Sequence, residues 1–213
     1  MHDFITQLHL IETGRDMLKK CGVPDATLLR VGDLAANADT LRAMKSAGFS
    51  LGSNRDRDNK STIYSHVNDL FPVCNDISSL DGITDLPVTS FLSPLPWLDG
   101  TYRHFQMTAL SFHEMTYGLL KMKETGYSCA TILTHPHEFF IVKKKEYYPD
   151  RKNRKRLKSL LAFLKTQPDL HIKSATDCIK SDDGKLGNRP EIRLPMHLSV
   201  LRVMEQTMAR FGI

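Results

Sequence analysis

Short apolar stretches typical of β-strands alternate with amphipathic stretches typical of helices along most of this chain. Residues 27–31 predict a strand, and a second strand follows from Phe49. Between them lies a predicted helix that Asn37 or Asp39 caps and Gly48 ends. A strand that is joined to the next one through a helix usually lies parallel to it. We therefore predict an α/β protein whose largely parallel sheet has about five strands.

The same two patterns extend over the rest of the chain. Apolar residues at helical spacing predict helices, and short apolar runs predict strands. The further predicted helices are residues 3–20, 107–124, 157–164 and 198–211, with a short helix capped by Ser174 or Thr176, and the further predicted strands are residues 87–92, 129–134 and 171–173. Residues 53–85 are polar, and we expect an irregular loop there.

The composition is that of a globular protein without a membrane span. The chain has 213 residues, of which 41% are hydrophobic and 25% are charged, enough for one domain with a substantial core. No apolar run approaches the roughly 20 residues that a membrane helix needs. No charged leader begins the chain, and Asp3 and Gln7 interrupt any apolar stretch. We therefore expect no signal peptide and, for the chain as given, a cytoplasmic location.

Residues 128–140 carry the strongest sign of chemistry. Within them, residues 129–134 form an apolar, β-branched run bounded by Gly126 and Pro136, which predicts a buried strand. His-Pro-His-Glu follows at 135–138, and the carboxyl ends of parallel strands are where ligands bind. Histidine exchanges protons near neutral pH without large tuning. A polar strand end whose imidazoles bond to backbone or water is about equally compatible with so short a motif.

Two further residues are candidates because of their positions at strand ends. Arg30 ends the strand at 27–31, where a planar guanidinium usually faces a carboxylate or an anionic ligand. The alternative is an exposed arginine before a turn. Trp97 follows Pro94 and Pro96 beyond another strand end, where it either stacks on a flat ligand such as a sugar or is packed against the protein.

Basic residues are concentrated in one part of the chain. Of the 29 lysines and arginines, nine lie between positions 143 and 158. Clustered basic side chains bind nucleic acid or another polyanion through counterion release. Only Tyr147 and Tyr148 lie within the run to stack on bases. A solvated helix face with its preceding loop is the more common origin of such a run, so we rank nucleic acid last among the partners.

Two segments resemble blocks of the polysaccharide deacetylase family. Residues 30–37, Arg-Val-Gly-Asp-Leu-Ala-Ala-Asn, with the helix and glycine that follow, resemble the family's third block, in which an arginine ends a strand. Residues 133–136, Leu-Thr-His-Pro, resemble its fifth block, a leucine followed shortly by the catalytic histidine. A predicted strand and helix end lie between them in the expected order, and the resemblance spans roughly residues 7–140.

The resemblance implies a fold, a reaction and roles for particular residues. The fold would be an irregular (β/α) barrel, and the reaction would be metal-assisted hydrolysis of an N-acetyl group on an amino sugar. In the family a divalent metal, zinc or similar, activates a water, an aspartate acts as base, and a histidine protonates the leaving amine. His135 matches that histidine, and Arg30 matches the arginine that holds the aspartate. We expect His137, Asp33 and Trp97 to contact the substrate, an amino-sugar polysaccharide or sugar conjugate.

The chain departs from the family in its first part. No Thr-Phe-Asp-Asp-Gly type strand end is present, and His2 and His9 do not have the spacing of the second block's metal-binding pair. Gly32 stands where many members carry proline. We therefore expect a partial barrel without its first strands in residues 1–180, and a connection with a C-terminal helix in residues 181–213. The metal ligands of the family are not found in this chain.

Two functions of different classes follow from these observations. In the first, the chain is a truncated deacetylase, a hydrolase of carbon–nitrogen bonds other than peptide bonds, which a further segment completes. In the second, it is a non-catalytic carbohydrate-binding or interaction module on a degenerate deacetylase fold. Loss of the first strands would expose strand edges and apolar helix faces, which predicts self-association or a complementing chain.

Overall fold

The computed structural model describes residues 2–56, 75–181 and 189–211, and over these ranges the chain is mixed α/β, as predicted at that level. The helices are α1 (Phe4–Lys20), α2 (Ala38–Ser46), α3 (Pro96–Asp99), α4 (Phe112–Glu124), α5 (Arg151–Lys165), α6 (Ala175–Ser181) and α7 (Met196–Phe211). The strands are β1 (Leu28–Leu29), β2 (Leu51–Gly52), β3 (Ser78–Leu80), β4 (Ile83–Asp85), β5 (Ser90–Leu92), β6 (Tyr102–His104), β7 (Phe140–Lys143) and β8 (Glu146–Pro149).

The chain divides into two compact units. The first comprises Met1–Val88 and Ser174–Asn188, and the second comprises Thr89–Lys173 and Arg189–Ile213. The domain division predicted between residues 180 and 181 was drawn from the family resemblance and stays a prediction. Each unit has its own core and is described by itself below.

The first unit contains a four-stranded sheet in the order β1-β2-β4-β3. Strands β1, β2 and β4 are parallel, and β3 runs antiparallel to β4. The β3–β4 hairpin turns at Asp81 and Gly82, which both have positive φ, as in a type I′ turn. The three parallel strands therefore place their carboxyl ends at one edge of this sheet.

Helix α1 packs against α2 in the first unit, and hydrogen bonds at the start of α2 hold the pair together. Asn37 Oδ1 accepts from the Thr40 amide at 2.9 Å, and the Thr40 hydroxyl accepts from the Asn37 amide at 3.0 Å, which completes a capping box. The same hydroxyl donates to Gln7 Oε1 of α1 at 2.6 Å. The buried apolar side chains of this unit's core are Ala36, Leu41, Met44, Ala47, Phe49 and Ile83.

The second unit is built around α4 and two β-hairpins, β5–β6 and β7–β8. Helix α4 begins with a capping box between Ser111 and Glu114, and Gly126 follows its end with a φ of 78°. The buried apolar side chains of its core are Phe91, Phe105, Met107, Leu110, Met115, Leu119, Met122, Leu160, Ile192 and Leu194. This core supports the segment from 133 to 139, which carries the candidate site.

The predicted helices are confirmed, with shifts at some ends. Helix α1 ends at Lys20 and α2 begins directly after Asn37, both as the capping signals indicate. Helix α4 begins at Phe112 rather than near Met107, because Ser111 supplies the cap. Ser174 accepts from the Asp177 amide at 3.2 Å and so begins α6 as predicted.

Two strand predictions are wrong. The segment 129–134 forms only one bridge, between Gln106 and Leu133, and among its residues only Leu133 is buried. The segment 171–173 adopts no regular secondary structure. A β-branched run favours extended backbone, but a strand also needs a neighbouring strand along its length, and that neighbour is set by tertiary structure. The strands predicted at 27–31 and 87–92 are present but short.

Two hairpins lie in segments for which loops were predicted. The β3–β4 hairpin occupies the end of the segment 53–85, and the β7–β8 hairpin precedes α5 in the basic run. The rest of the predicted loop, residues 57–74, and residues 182–188 of the predicted connection lie outside the described residues. Among the helices that the structure describes, none has the length and apolar character required to span a membrane.

Candidate functional site

A tight turn brings His135 and Glu138 together in the second unit. Residues Pro136–Phe139 form one turn of 3-10 helix, in which Pro136 supplies the fixed φ that suits the first helical position. The Glu138 amide donates to the His135 carbonyl at 3.1 Å. As a result, His135 Nδ1 lies 3.4 Å from Glu138 Oε1. The two side chains form a carboxylate–imidazole pair at the position that the sequence analysis singled out.

Glu138 is the buried member of the pair, with 4% of its side chain exposed. Its Oε1 accepts from Gln106 Nε2 at 2.5 Å and its Oε2 accepts from Thr134 Oγ1 at 2.9 Å. Burial raises the pKa of the Glu138 carboxyl, but the hydrogen bonds from Gln106, Thr134 and the neighbouring histidine outweigh burial, and the pKa lies below its ordinary value. Glu138 is therefore a carboxylate at neutral pH.

His135 is the accessible member, with 46% of its side chain exposed. A carboxylate at Nδ1 favours the tautomer that carries its proton there. Nε2 is then the ring nitrogen that can give or take a proton. The pair therefore has the composition of an oriented acid–base catalyst, in which one group reacts and the other positions it.

His137 stacks against His135. The two ring centroids are 5.1 Å apart, and the ring planes differ by 26°. His137 is exposed, and this contact places it beside the reactive ring, where a substrate that reaches His135 would also meet it. The substrate-binding role predicted for His137 stays a prediction.

These side chains do not fit a metal site. His135 and His137 turn ring faces toward each other, and both oxygens of Glu138 already accept hydrogen bonds. No group of three or more His, Cys, Asp and Glu side chains in the described ranges is placed to hold a metal ion. The described residues therefore supply no set of ligands for the divalent metal that the family resemblance implies, and we derive no step through it.

The start of α5 fixes the turn from the other side. Asn153 Nδ2 donates to the Glu138 carbonyl at 2.7 Å, and the Asp150 amide donates to the Phe139 carbonyl at 2.7 Å. Arg156, one turn further along α5, donates to the Met107 carbonyl. Burial lowers the pKa of Arg156, and nearby carboxylates oppose that effect. The start of α5 and the buried side chain of Arg156 therefore hydrogen-bond to the backbone around the His135–Glu138 pair.

Arg30 lies in the first unit, directly after β1. Its Nε donates to the Ser53 carbonyl at 3.0 Å, and its terminal nitrogen donates to the Ser53 hydroxyl, which in turn donates to the Leu86 carbonyl at 2.6 Å. Burial lowers the pKa of Arg30, and the carboxylate of Asp85 opposes that effect. An arginine remains charged under such conditions. Arg30 lies at a strand end as predicted, but its side chain bonds Ser53 rather than a carboxylate, and the residue is exposed ahead of the turn Gly32–Leu34, which is the alternative given for it. Its catalytic role stays a prediction.

Asp85 is the acidic residue at this sheet edge that the sequence analysis missed. It ends β4 with none of its side chain exposed and pairs with Arg55 Nε at 3.1 Å. The Asn54 amide also donates to it at 2.9 Å. Gly52 permits this approach, because a Cβ there would lie 2.8 Å from Asp85 Oδ1. The signal that could have found Asp85 is the Asp-Gly turn of the β3–β4 hairpin, which predicts β4 and places Asp85 at its end.

The other two predicted substrate-binding residues are on the surface. Asp33 is exposed within the 3-10 turn Gly32–Leu34 and has a φ of 52°. Trp97, in α3 of the second unit, is 76% exposed, so the packing alternative for this tryptophan is wrong. Arg30 and Asp33 belong to one unit, and His135, His137 and Trp97 belong to the other. The sequence analysis missed Glu138 as the partner of His135, although Glu138 lies three residues after His135, with Pro136 between them, which was a usable signal.

The chain matches no protein-family model, no curated protein and no solved structure.

Proposed function

We propose that this chain is the later part of a deacetylase of amino-sugar polysaccharides, in which His135 is the general acid. The observation that supports the proposal is the His135–Glu138 pair, which lies where the resemblance to polysaccharide deacetylases expects the catalytic histidine. The pair combines an accessible imidazole with a buried carboxylate. An imidazole oriented in this way can pass its proton to a leaving group.

The proposed reaction is hydrolysis of an N-acetyl group. A water oxygen forms a bond to the acetyl carbon, and the bond from that carbon to the sugar nitrogen breaks. The products are acetate and a free amine. His135 donates its proton to the departing nitrogen, because an amide nitrogen leaves poorly as an anion, and Glu138 orients the imidazole for that transfer. A base takes the proton that the attacking water loses; in the family that base is an aspartate beside a divalent metal, and we assign no residue described here to either role.

The fold part of the proposal concerns the first unit. Strands β1, β2 and β4 are parallel, and α2 connects the first two of them. This arrangement is compatible with a partial, irregular (β/α) barrel of the polysaccharide deacetylase kind. In such a barrel Arg30 would hold an acidic side chain at the carboxyl ends of the strands, and here the negative charge of Asp85 raises the pKa of Arg30 against the effect of burial.

The test is acetate release from an N-acetylglucosamine hexamer by the protein supplied with Zn²⁺ or Co²⁺. We expect His135→Ala to abolish the activity and His137→Ala to reduce it less, because only His135 is paired with a buried carboxylate. His171→Ala is the control, since this histidine is exposed in the same unit and outside the site. Equal losses in the His135 and His137 variants, or wild-type activity in His135→Ala, would overturn the assignment.

A second candidate function is a non-catalytic carbohydrate-binding module. The exposure of Trp97 favours it, because an exposed tryptophan offers a flat apolar surface to a sugar ring. Titration of the chelator-treated protein with zinc separates the two functions. Tight, stoichiometric zinc binding supports the enzyme, and its absence together with retained hexamer binding supports the module. Self-association or a complementing chain, predicted from missing strands, stays a prediction.

A further inference from the structure

The β7–β8 hairpin has neither face buried. All eight residues of its two strands, Phe140–Lys143 and Glu146–Pro149, are exposed. Antiparallel strand pairs in globular domains usually bury one face, and an isolated two-stranded hairpin is only marginally stable in water. This hairpin therefore offers both of its faces to a ligand.

The pairing of the strands sorts the side chains onto two faces. Phe140 lies opposite Pro149, and Val142 lies opposite Tyr147. Because alternate residues share a face of a strand, these four side chains form one apolar face. Phe140, Val142 and Tyr147 are 52%, 61% and 76% exposed, respectively. A contiguous exposed apolar patch often marks a binding site, whereas single apolar residues on the surface do not.

Positive charge surrounds this apolar face. Lys143, Lys144 and Lys145 form the tip of the hairpin, and the first part of α5 carries exposed Arg151, Lys152, Arg154, Lys155 and Lys158. Over the described ranges, none of these eight side chains forms an ion pair with a carboxylate. Two acids lie in the same stretch, Glu146, which accepts from Tyr148, and Asp150, which caps α5, and they leave positive charge in excess there. Uncompensated charge of one sign attracts a ligand of the other sign.

The hairpin adjoins the candidate site. Its first residue, Phe140, directly follows the 3-10 turn that carries Glu138. The bonds from Asp150 and Asn153 to the carbonyls of Phe139 and Glu138 fix the base of the hairpin and the start of α5 to that turn. The base of the hairpin therefore adjoins the turn that carries the His135–Glu138 pair.

We propose that the β7–β8 hairpin and the exposed basic side chains at the start of α5 bind an anionic polysaccharide. This inference rests on the proposed function and specifies the substrate as a polymer that carries carboxylate groups as well as N-acetyl groups. The C–H faces of sugar rings pack on aliphatic and aromatic side chains alike, which suits a face that mixes Val142 and Pro149 with Phe140 and Tyr147. Nucleic-acid bases stack on successive aromatic platforms, whereas two of the four side chains on this face, Val142 and Pro149, are aliphatic.

The test is binding of hyaluronate, which alternates glucuronate with N-acetylglucosamine, measured by affinity electrophoresis at low and at high salt. We expect Lys144→Gln/Lys145→Gln to weaken binding by about tenfold, and Val142→Ala/Tyr147→Ala to weaken it by a similar factor. The control for charge is Lys19→Gln/Lys20→Gln at the end of α1, and the control for the apolar change is Ile172→Ala, at a side chain that is 70% exposed.

The comparison among probes decides between ligand classes. We expect hyaluronate to bind more tightly than the uncharged N-acetylglucosamine hexamer and more tightly than a single-stranded thymidine 20-mer at the same charge concentration. Tighter binding of the oligonucleotide, equal binding of the neutral hexamer, or equal effects of the hairpin and control variants would overturn the proposal. Binding needs no turnover, so inactive protein that still binds hyaluronate would contradict the proposed reaction but not this inference.

Discussion

Glu138 and His135 differ sharply in exposure although their side chains are 3.4 Å apart, with 4% and 46% of the side chain exposed, respectively. The buried carboxylate lies at Nδ1 of the accessible imidazole and favours the tautomer that carries the proton there. In the proposed reaction the contact therefore separates two roles, because a substrate can reach His135, whereas Glu138 acts through it.

The first prediction concerns this positioning role of Glu138. Glu138→Gln keeps the shape of the side chain but replaces the carboxylate at Nδ1 of His135 with an amide, which no longer fixes the orientation and tautomer of the imidazole. We expect kcat for acetate release to fall about 10–100-fold with little change in KM, as for other groups that orient a reactive side chain. The control is Glu124→Gln on the exposed surface of α4, and an unchanged kcat would show that Glu138 does not position His135.

The second prediction concerns stability and pH. The pKa of Glu138 lies below its ordinary value of 4.5, because its hydrogen bonds outweigh burial. A carboxyl whose pKa is lower in the folded state stabilises the fold at any pH above its ordinary pKa. That contribution is lost as the pH falls through the pKa of the folded state. We expect the loss of unfolding free energy in Glu138→Gln to be largest at pH 7 and to shrink toward pH 3. Urea unfolding at a series of pH values measures this, and a pH-independent difference would contradict it.

Local signals predicted much of the helical structure. Asn37, Ser174 and Gly126 indicated helix ends that the structure confirms, because capping depends on residues within one turn of the helix. Strand pairing was harder to predict. Residues 129–134 have the composition of a strand, but only Leu133 finds a bridging partner, 27 positions upstream at Gln106. No pattern within residues 129–134 indicates that only one of them forms a bridge.

The hairpins show the same dependence on turn chemistry. Asp81-Gly82 is a strong signal for a type I′ hairpin turn, but it lies in a polar segment whose composition indicated a loop. The β7–β8 hairpin turns at Lys144 and Lys145, which have φ values of 49° and 66°. Lysine is an unusual residue at positive φ, so the basic run was interpreted as a loop and helix face. The contact of Glu138 with Gln106 likewise depends on packing, which no sequence spacing reveals.

The third prediction concerns Gly118 in α4. A Cβ at this position would lie 2.5 Å from Cζ of Phe91, a ring that is fully buried and packed against Phe105 at 5.5 Å. Gly118→Ala gains about 1 kcal/mol of helix propensity, but overpacking typically costs about 1–3 kcal/mol. We expect a net loss of stability, and partial recovery when Phe91→Leu is added.

Gly14 in α1 provides the matched control for that substitution. A Cβ there would have no heavy atom within 4 Å. Gly14→Ala should therefore show only the propensity gain and stabilise the protein by up to about 1 kcal/mol. Thermal unfolding of the two variants tests the argument. Stabilisation by both substitutions would contradict the tight contact at Phe91.

The last prediction concerns the buried ion pair between Glu114 and Arg202, which joins α4 to α7. Glu114 Oε1 accepts from Arg202 Nε at 3.2 Å and from Ser199 Oγ at 2.8 Å, and neither charged side chain is more than 2% exposed. Removing one partner leaves a buried charge, so we expect Arg202→Met to cost about 3–5 kcal/mol of unfolding free energy.

The double variant Glu114→Gln/Arg202→Met should lose less unfolding free energy than the sum of the two single variants, with a coupling of about 0.5–3 kcal/mol. Asp169→Asn, which breaks the exposed pair with Lys123, should change stability far less. Additive losses in the double-mutant cycle, measured by urea unfolding, would show that the pair does not hold α7 to α4.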